Sequence, residues 1–352
     1  MMGGSPSRTE RASAASTLAL PAEWTVTASG EASTLAVAAD GTVYFADASG
    51  LHAIREDGTS AWTFLAPGSY RSSPAIGRDG TVYFGSGMDL VAVNPDGTSR
   101  WKFSVTDGVI DTSAAVGDDG TIYFAAADDH LHALGPEGSE RWSAPVGNGG
   151  EPSSPAIGPS GVLYVVAYED SVPNPGTRLF AVRGDGTNAW SVIVFASTPP
   201  GAPTAGDDGT IYVPGDGFIY AFQPDGTHKW EAPIATGSQG LALGKDGTLY
   251  AVGSSFGPNV HAVHGDGSAA WTALTQEETG GVPPVIGPDG TVFVIDHEIH
   301  AFRPDGVPLG MRELGAMATT PAALGENGMI YVVTPSASHG GLDSEVHAVR
   351  LP

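Results

Sequence analysis

Short apolar runs alternate with polar turns at a nearly constant interval along the whole chain. The plainest turn is Asp-Gly-Thr followed by an aliphatic residue and an aromatic one. It stands at Asp40–Tyr44, Asp79–Tyr83, Asp119–Tyr123, Asp208–Tyr212, Asp246–Tyr250 and Asp289–Phe293. Weaker copies lie at Ser160–Tyr164 and Asn327–Tyr331, and successive copies are 39, 40, 41, 48, 38, 43 and 38 residues apart. No apolar period of 3.6 runs between the turns, so the repeat is not a helical one.

Each copy predicts four short strands. Ser73–Ile76 typifies strand A, and Asp79-Gly80 supplies the tight turn after it, because positive φ is cheap for glycine. Thr81–Phe84 is strand B and Leu90–Val93 is strand C. Pro95-Asp96-Gly97 then turns the chain into strand D at Trp101; proline before Asp-Gly presets the turn and stops the strand. Strand C recurs as Leu51-His52-Ala53, Leu131-His132-Ala133, Leu179-Phe180-Ala181, Ile219-Tyr220-Ala221, Val260-His261-Ala262, Ile299-His300-Ala301 and Val346-His347-Ala348.

The tryptophans carry the phase of the repeat. Trp24, Trp62, Trp101, Trp142, Trp190, Trp230 and Trp271 all occupy one slot on strand D, and the eighth slot is assigned to Leu309. They are read as plugs packing one unit against the next. Trp24 precedes the first turn with no strand A, B or C before it, whereas the last copy has A to C and no D. The expected fold is therefore all-β: a single eight-bladed β-propeller of four-stranded antiparallel blades, its ring closed by the N-terminal strand joining the last blade. Such closure removes exposed sheet edges. Residues 1–20, rich in Ala and Ser, are expected to be a disordered lead-in, with residues 21–352 forming the propeller.

Composition narrows the partners. Asp and Glu number 39 against 15 Lys and Arg, a formal net charge of −24. Nucleic acid and anionic membrane surfaces need basic patches and are excluded as expected partners. No apolar run reaches the length of a membrane span, so no membrane insertion is expected. The 50 glycines fall at fixed intervals and read as turns, and the absence of cysteine removes disulfides and thiolate chemistry. No convincing signal-peptide pattern is present, which leans the expected location toward the cytoplasm, with secretion as the alternative. A monomer is expected.

Motifs such as Ser73-Pro74-Ala75-Ile76-Gly77-Arg78-Asp79-Gly80-Thr81-Val82-Tyr83-Phe84-Gly85, and the run from Leu90 to Trp101, resemble the PQQ-type propeller repeat. That repeat belongs to the quinoprotein alcohol dehydrogenase superfamily, and the scaffold lipoprotein of the bacterial outer-membrane assembly machine is built from it. The resemblance covers about residues 22–351. It implies the fold and leaves the function open. The quinone enzymes insert catalytic segments, hold calcium, often carry a vicinal disulfide, and stack their quinone on a tryptophan. This chain lacks cysteine, and its tryptophans are all claimed by the repeat, so no cofactor is expected.

Candidate chemistry sits on the D–A and B–C loops, since the opposite face is nearly uniform Asp-Gly turn. At the channel mouth the charged positions Glu31, Arg71, Asp111 and Glu151, with Tyr70 beside them, all come from blades 1 to 4. Polar groups on one side and room opposite would orient a ligand. The B–C corners add Asp128-Asp129-His130 in blade 3 and Asp296-His297-Glu298 in blade 7. They are read as solvated loop charge, with cation binding or acid–base work as the functional alternative, and no metal site is assigned. Two B–C segments are long: residues 167–178, with Tyr168 and Arg178, and residues 334–345. His52, His132, His261, His300 and His347 share one repeat slot and are read as neutral packing between blades.

The expected function is a non-enzymatic binding or scaffold propeller whose loop face takes a peptide, protein, glycan or other small-molecule ligand. The alternative is a non-redox lyase, hydrolase or isomerase, with acid and base from Glu31, Asp111 or Glu151 and Arg71 holding an anion.

Overall fold

The computed structural model describes residues 23–66, 72–150, 152–170, 176–194, 201–215, 217–234, 240–253, 259–275, 282–336 and 343–350. The proposed lead-in lies outside them. The described residues form eight four-stranded antiparallel sheets and no helix. In blade 1 the order is β2 (Ala36–Val37), β3 (Val43–Asp47), β4 (Gly50–Ile54) and β5 (Ser60–Leu65). The next six blades repeat it. Strands A of neighbouring blades touch one another, which places them around the central axis.

Blade 8 is completed as expected. Its strands A to C are β30 (Ala323–Leu324), β31 (Met329–Pro335) and β32 (Ser344–Arg350), and β1 (Trp24–Ala28) is its outer strand. Trp24 pairs with Ala348 and Ala28 with Ser344.

The Asp-Gly-Thr signature has a local cause. In the turn after β8 (Asp89–Val93), Gly97 has φ +84° and donates its N–H to the Asn94 carbonyl at 2.9 Å. The Asp96 carboxylate accepts from the Thr98 N–H at 3.0 Å and from its hydroxyl at 2.6 Å. Asp57, Asp185, Asp225 and Asp266 cap their own turns in the same way. These bonds satisfy backbone donors that would otherwise face water alone.

Apolar residues of strands B and C build eight buried clusters, one at each seam between adjacent blades. The tryptophans complete seven of the seams. Trp62 Nε1 donates to the Pro95 carbonyl of the next blade at 2.8 Å, and its ring lies against Gly97, where an added Cβ would sit 2.7 Å from it. The other six indoles donate likewise to Glu56, Pro136, Gly184, Pro224, Gly265 and Pro304. Each ring also tilts against an aromatic of strand B in its own blade, as Trp62 does on Tyr44.

The eighth slot needs a correction. Trp271 stands opposite Ala262, and the matching Ala301 stands opposite Gly310, not Leu309. In blade 8 the outer strand β1 comes from the other end of the chain, so among the described residues strands C and D are not joined by the glycine turn that receives an indole at the other seams. A Cβ on Gly310 would meet nothing within 4 Å. Two residues on, buried Arg312 donates Nη1 to the Arg350 carbonyl of blade 8 at 2.8 Å.

Candidate functional site

Propeller topology puts the A–B and C–D turns on one face and the D–A and B–C loops on the other. Two segments read as long loops are partly strand. The hairpin of blade 4 extends through β15 (Leu163–Glu169) and β16 (Gly176–Val182), and that of blade 8 through Pro335 and from Ser344. Both stand out from the loop face as longer hairpins than their neighbours.

Of the channel-mouth residues, Glu31 is exposed beside Gly30, whose N–H donates to Asp343 at 2.9 Å. Asp111 is half-buried, next to Thr112, whose hydroxyl donates to the Ala125 carbonyl. Tyr70, Arg71 and Glu151 lie outside the described residues. Tyr168 and Arg178 share the blade 4 hairpin; Tyr168 is exposed and Arg178 Nε lies 3.2 Å from Glu169. Asp296, His297 and Glu298 occupy the blade 7 corner, three blades away.

That corner is not the solvated loop charge the sequence suggests. Asp296 is only 1% exposed. Its Oδ1 accepts the Glu298 N–H at 2.7 Å, and its Oδ2 lies 3.3 Å from His300 Nε2, as does Glu298 Oε2. The His297 backbone carbonyl accepts from Leu314 at 2.9 Å, tying the corner to the next loop.

The same arrangement recurs, and it revises the reading of the histidine slot. His52 Nε2 lies 2.9 Å from Asp47, His132 lies between Asp128 at 3.0 Å and Glu140 at 2.9 Å, and His347 lies 3.7 Å from Glu345. His52 stacks on Phe45, and His132 on Phe124. These imidazoles thus pack between blades while also meeting a carboxylate. Burial pushes the Asp47 carboxyl up, but the His52 and Ser49 side chains and the Ser29 and Ser49 N–H groups outweigh it, holding Asp47 below the usual carboxylate range. Burial lowers His347, against the opposing charge of Glu345. For His52, His132 and His300 a visible signal existed: an acid four or five residues before the histidine, across a short B–C hairpin.

Blade 3 adds a cleft of about 510 Å³ against blade 2, lined by Phe103, Val105, Asp107, Asp129, His130 and Glu140 among others. His130 Nδ1 lies 2.7 Å from the Asp128 carbonyl. A carbonyl only accepts, so Nδ1 carries the hydrogen. Asp129 has φ +64°, the one positive value among described non-glycine residues. Burial and the Asp128 charge raise its carboxyl, with Asp170 adding and His130 opposing.

Among the described residues no three His, Asp or Glu side chains are placed to hold a metal ion. The quinone site of the resembling enzymes does not fit either, because all seven indoles donate across seams.

No curated protein matches the chain. Among solved structures, it is similar to BamB from Moraxella catarrhalis, at 17% identity over 92% of this chain and 100% of that one, with a TM-score of 0.67. It is also similar to the quinohemoprotein alcohol dehydrogenase ADHIIG from Pseudomonas putida HK5, at 14% identity over 93% and 75% of the two chains, TM-score 0.66. Virginiamycin B lyase from Staphylococcus aureus matches at 14% identity over 78% and 94%, TM-score 0.58. Identities this low speak for the fold alone. The family model described as outer membrane protein assembly factor BamB matches residues 21–108 and 87–306. With most of its length matched, this chain belongs to that family.

Proposed function

We propose that the protein is a binding scaffold that presents its D–A and B–C loop face to a protein partner. The observation that carries this is the difference between the two faces. On the turn face, aspartates such as Asp57 and Asp96 are committed to capping their own turns. On the loop face, Met88, Val109 and Tyr168 are exposed beside Asp107, Asp129 and Asp170, whereas the described A–B and C–D turns expose one large apolar side chain, Val307. Exposed apolar side chains on loops over a rigid scaffold favour recognition. Membership in a family described as an assembly factor supports a protein as the ligand, ahead of a peptide or glycan. A monomer suits this role.

The test places a photo-crosslinking amino acid at Met88 or Tyr168, and as controls at Asp207 or Glu326 on the turn face. Defined adducts from the first pair are expected. Adducts from the turn positions alone would overturn the proposal.

An enzymatic second reading is favoured by one observation: His130, with its tautomer set by the Asp128 carbonyl, lines the same cleft as Asp129. Turnover of any substrate that disappears in a folded His130→Gln variant would establish it.

A further inference from the structure

Five backbone segments on the loop face are stitched into one strip. The Val105 N–H donates to the Met88 carbonyl at 2.9 Å, and Ile110 to Gly87 at 2.8 Å. Ala127 donates to Val109 at 3.0 Å, Val146 to Asp129 at 2.8 Å, and Asn148 to Tyr168 at 3.0 Å. The Asn148 side chain then accepts from the Asp170 N–H at 2.8 Å. The strip runs without a break over blades 2, 3 and 4. Packing also stiffens it: a Cβ on Gly108 would sit 2.5 Å from the Ala127 backbone.

Two kinds of side chain alternate along it. Met88, Val109 and Tyr168 are 44%, 38% and 42% exposed. Asp107, Asp129 and Asp170 lie between and beside them, and the cleft of about 510 Å³ opens at the middle. No Lys or Arg lines that cleft. The Asp129 carboxyl feels Asp128 and, less strongly, Asp170 of blade 4, with His130 opposing both. A cationic group entering there would relieve carboxylate repulsion, while its neighbours covered exposed apolar surface. The absence of a three-residue metal cluster among the described residues favours an organic cation over a bare ion.

We propose that this strip docks an extended segment of a partner protein in which basic and apolar side chains alternate. The proposal rests on the loop-face reading above and adds the place and the chemistry. An extended chain repeats its side chains every second residue, and the opposite charge gives register and orientation.

The test uses the full chain and a fluorescent hexapeptide alternating lysine and phenylalanine, read by anisotropy. Binding is expected, weakened about tenfold or more by Asp107→Asn, Asp129→Asn and Asp170→Asn together, or by Met88→Ser with Tyr168→Ser. Asparagine tolerates the left-handed backbone of Asp129, so the first variant keeps its fold. The same change of charge on the turn face (Asp118→Asn, Asp207→Asn, Glu326→Gln) is expected to alter affinity less than about twofold. Three results overturn the proposal: no binding, equal binding of a lysine–serine hexapeptide, or strip variants no worse than the turn-face control. Loss of binding in Glu31→Gln with Glu298→Gln alone would remove the strip but keep the loop face. Loss only in the turn-face variant would remove both.

Discussion

The indole Nε1 of Trp24 donates a 2.8 Å hydrogen bond to the carbonyl of Glu56. Trp24 begins the outer strand of blade 8 and Glu56 lies in the C–D turn of blade 1, so this bond joins the last blade to the first. Trp24→Ala is expected to cost about 3 kcal/mol from the cavity and the lost donor, and Trp24→Phe about 1 kcal/mol from the hydrogen bond. Urea unfolding at neutral pH measures both. Equal values for the two variants would show that the indole N–H carries the closure and the ring does not.

Two glycines should respond in opposite directions. Gly97→Ala forces a Cβ to 2.7 Å from Trp62 at φ +84°, and a cost of about 1–3 kcal/mol is expected. Gly310 has open space around the added methyl, so Gly310→Ala should stabilise by about 0.5–1 kcal/mol. Thermal unfolding of the pair gives the signs directly.

His347 supplies a pH dependence. Its folded pKa lies below the ordinary value because it is buried. The unfolded chain therefore holds more protons below about pH 6.5, and stability is lost as pH falls from there. His347 touches Thr334 at 2.8 Å and Thr25 at 3.1 Å, contacts a glutamine can partly replace. His347→Gln should lose less stability between pH 7 and pH 5 than the wild type. Parallel losses by chemical unfolding at the two pH values would refute this.

Asp47 works in the opposite range. Its carboxylate accepts from Ser29 N–H at 2.8 Å and from the Ser49 hydroxyl at 2.6 Å while only 1% exposed. Asp47→Asn is expected to cost about 1–3 kcal/mol at pH 7. A depressed folded pKa stabilises above the unfolded value of about 3.9 and fades below it. The gap between wild type and variant should therefore begin to narrow only below about pH 4 and go on narrowing toward the much lower folded pKa, which unfolding curves at falling pH would reveal.

Asp129 combines a left-handed backbone with a carboxyl raised by burial and by Asp128. Asp129→Gly relieves both and should stabilise by about 1 kcal/mol, while weakening the lysine–phenylalanine peptide. A variant that gains stability and keeps full peptide affinity would separate the strain from the docking role.

Repetition made the fold legible. Asp-Gly-Thr announces its own turn because aspartate caps, glycine takes positive φ and threonine returns a hydroxyl to the carboxylate, as Asp96, Gly97 and Thr98 do. Eight copies of the turn gave the blade count, and the phase of the tryptophans gave the place of β1. The eighth slot falls on Gly310, one residue past Leu309, because it follows Gly306 by four residues as Trp62 follows Gly58. The loop face was harder to read. Whether Asp296 is buried depends on which corner packs over it, and that is set by pairing between loops distant in sequence. The strip from Met88 to Asp170 is assembled by backbone hydrogen bonds, which residue identity does not encode.

Eight interchangeable wedges would make a disc with no rotational landmark, which a second molecule could grip in eight equivalent settings. The guanidinium of Arg312, two residues past the glycine that fills the indole slot, breaks that equivalence. It gives the circle a fixed zero mark, so every other position around the rim has an address.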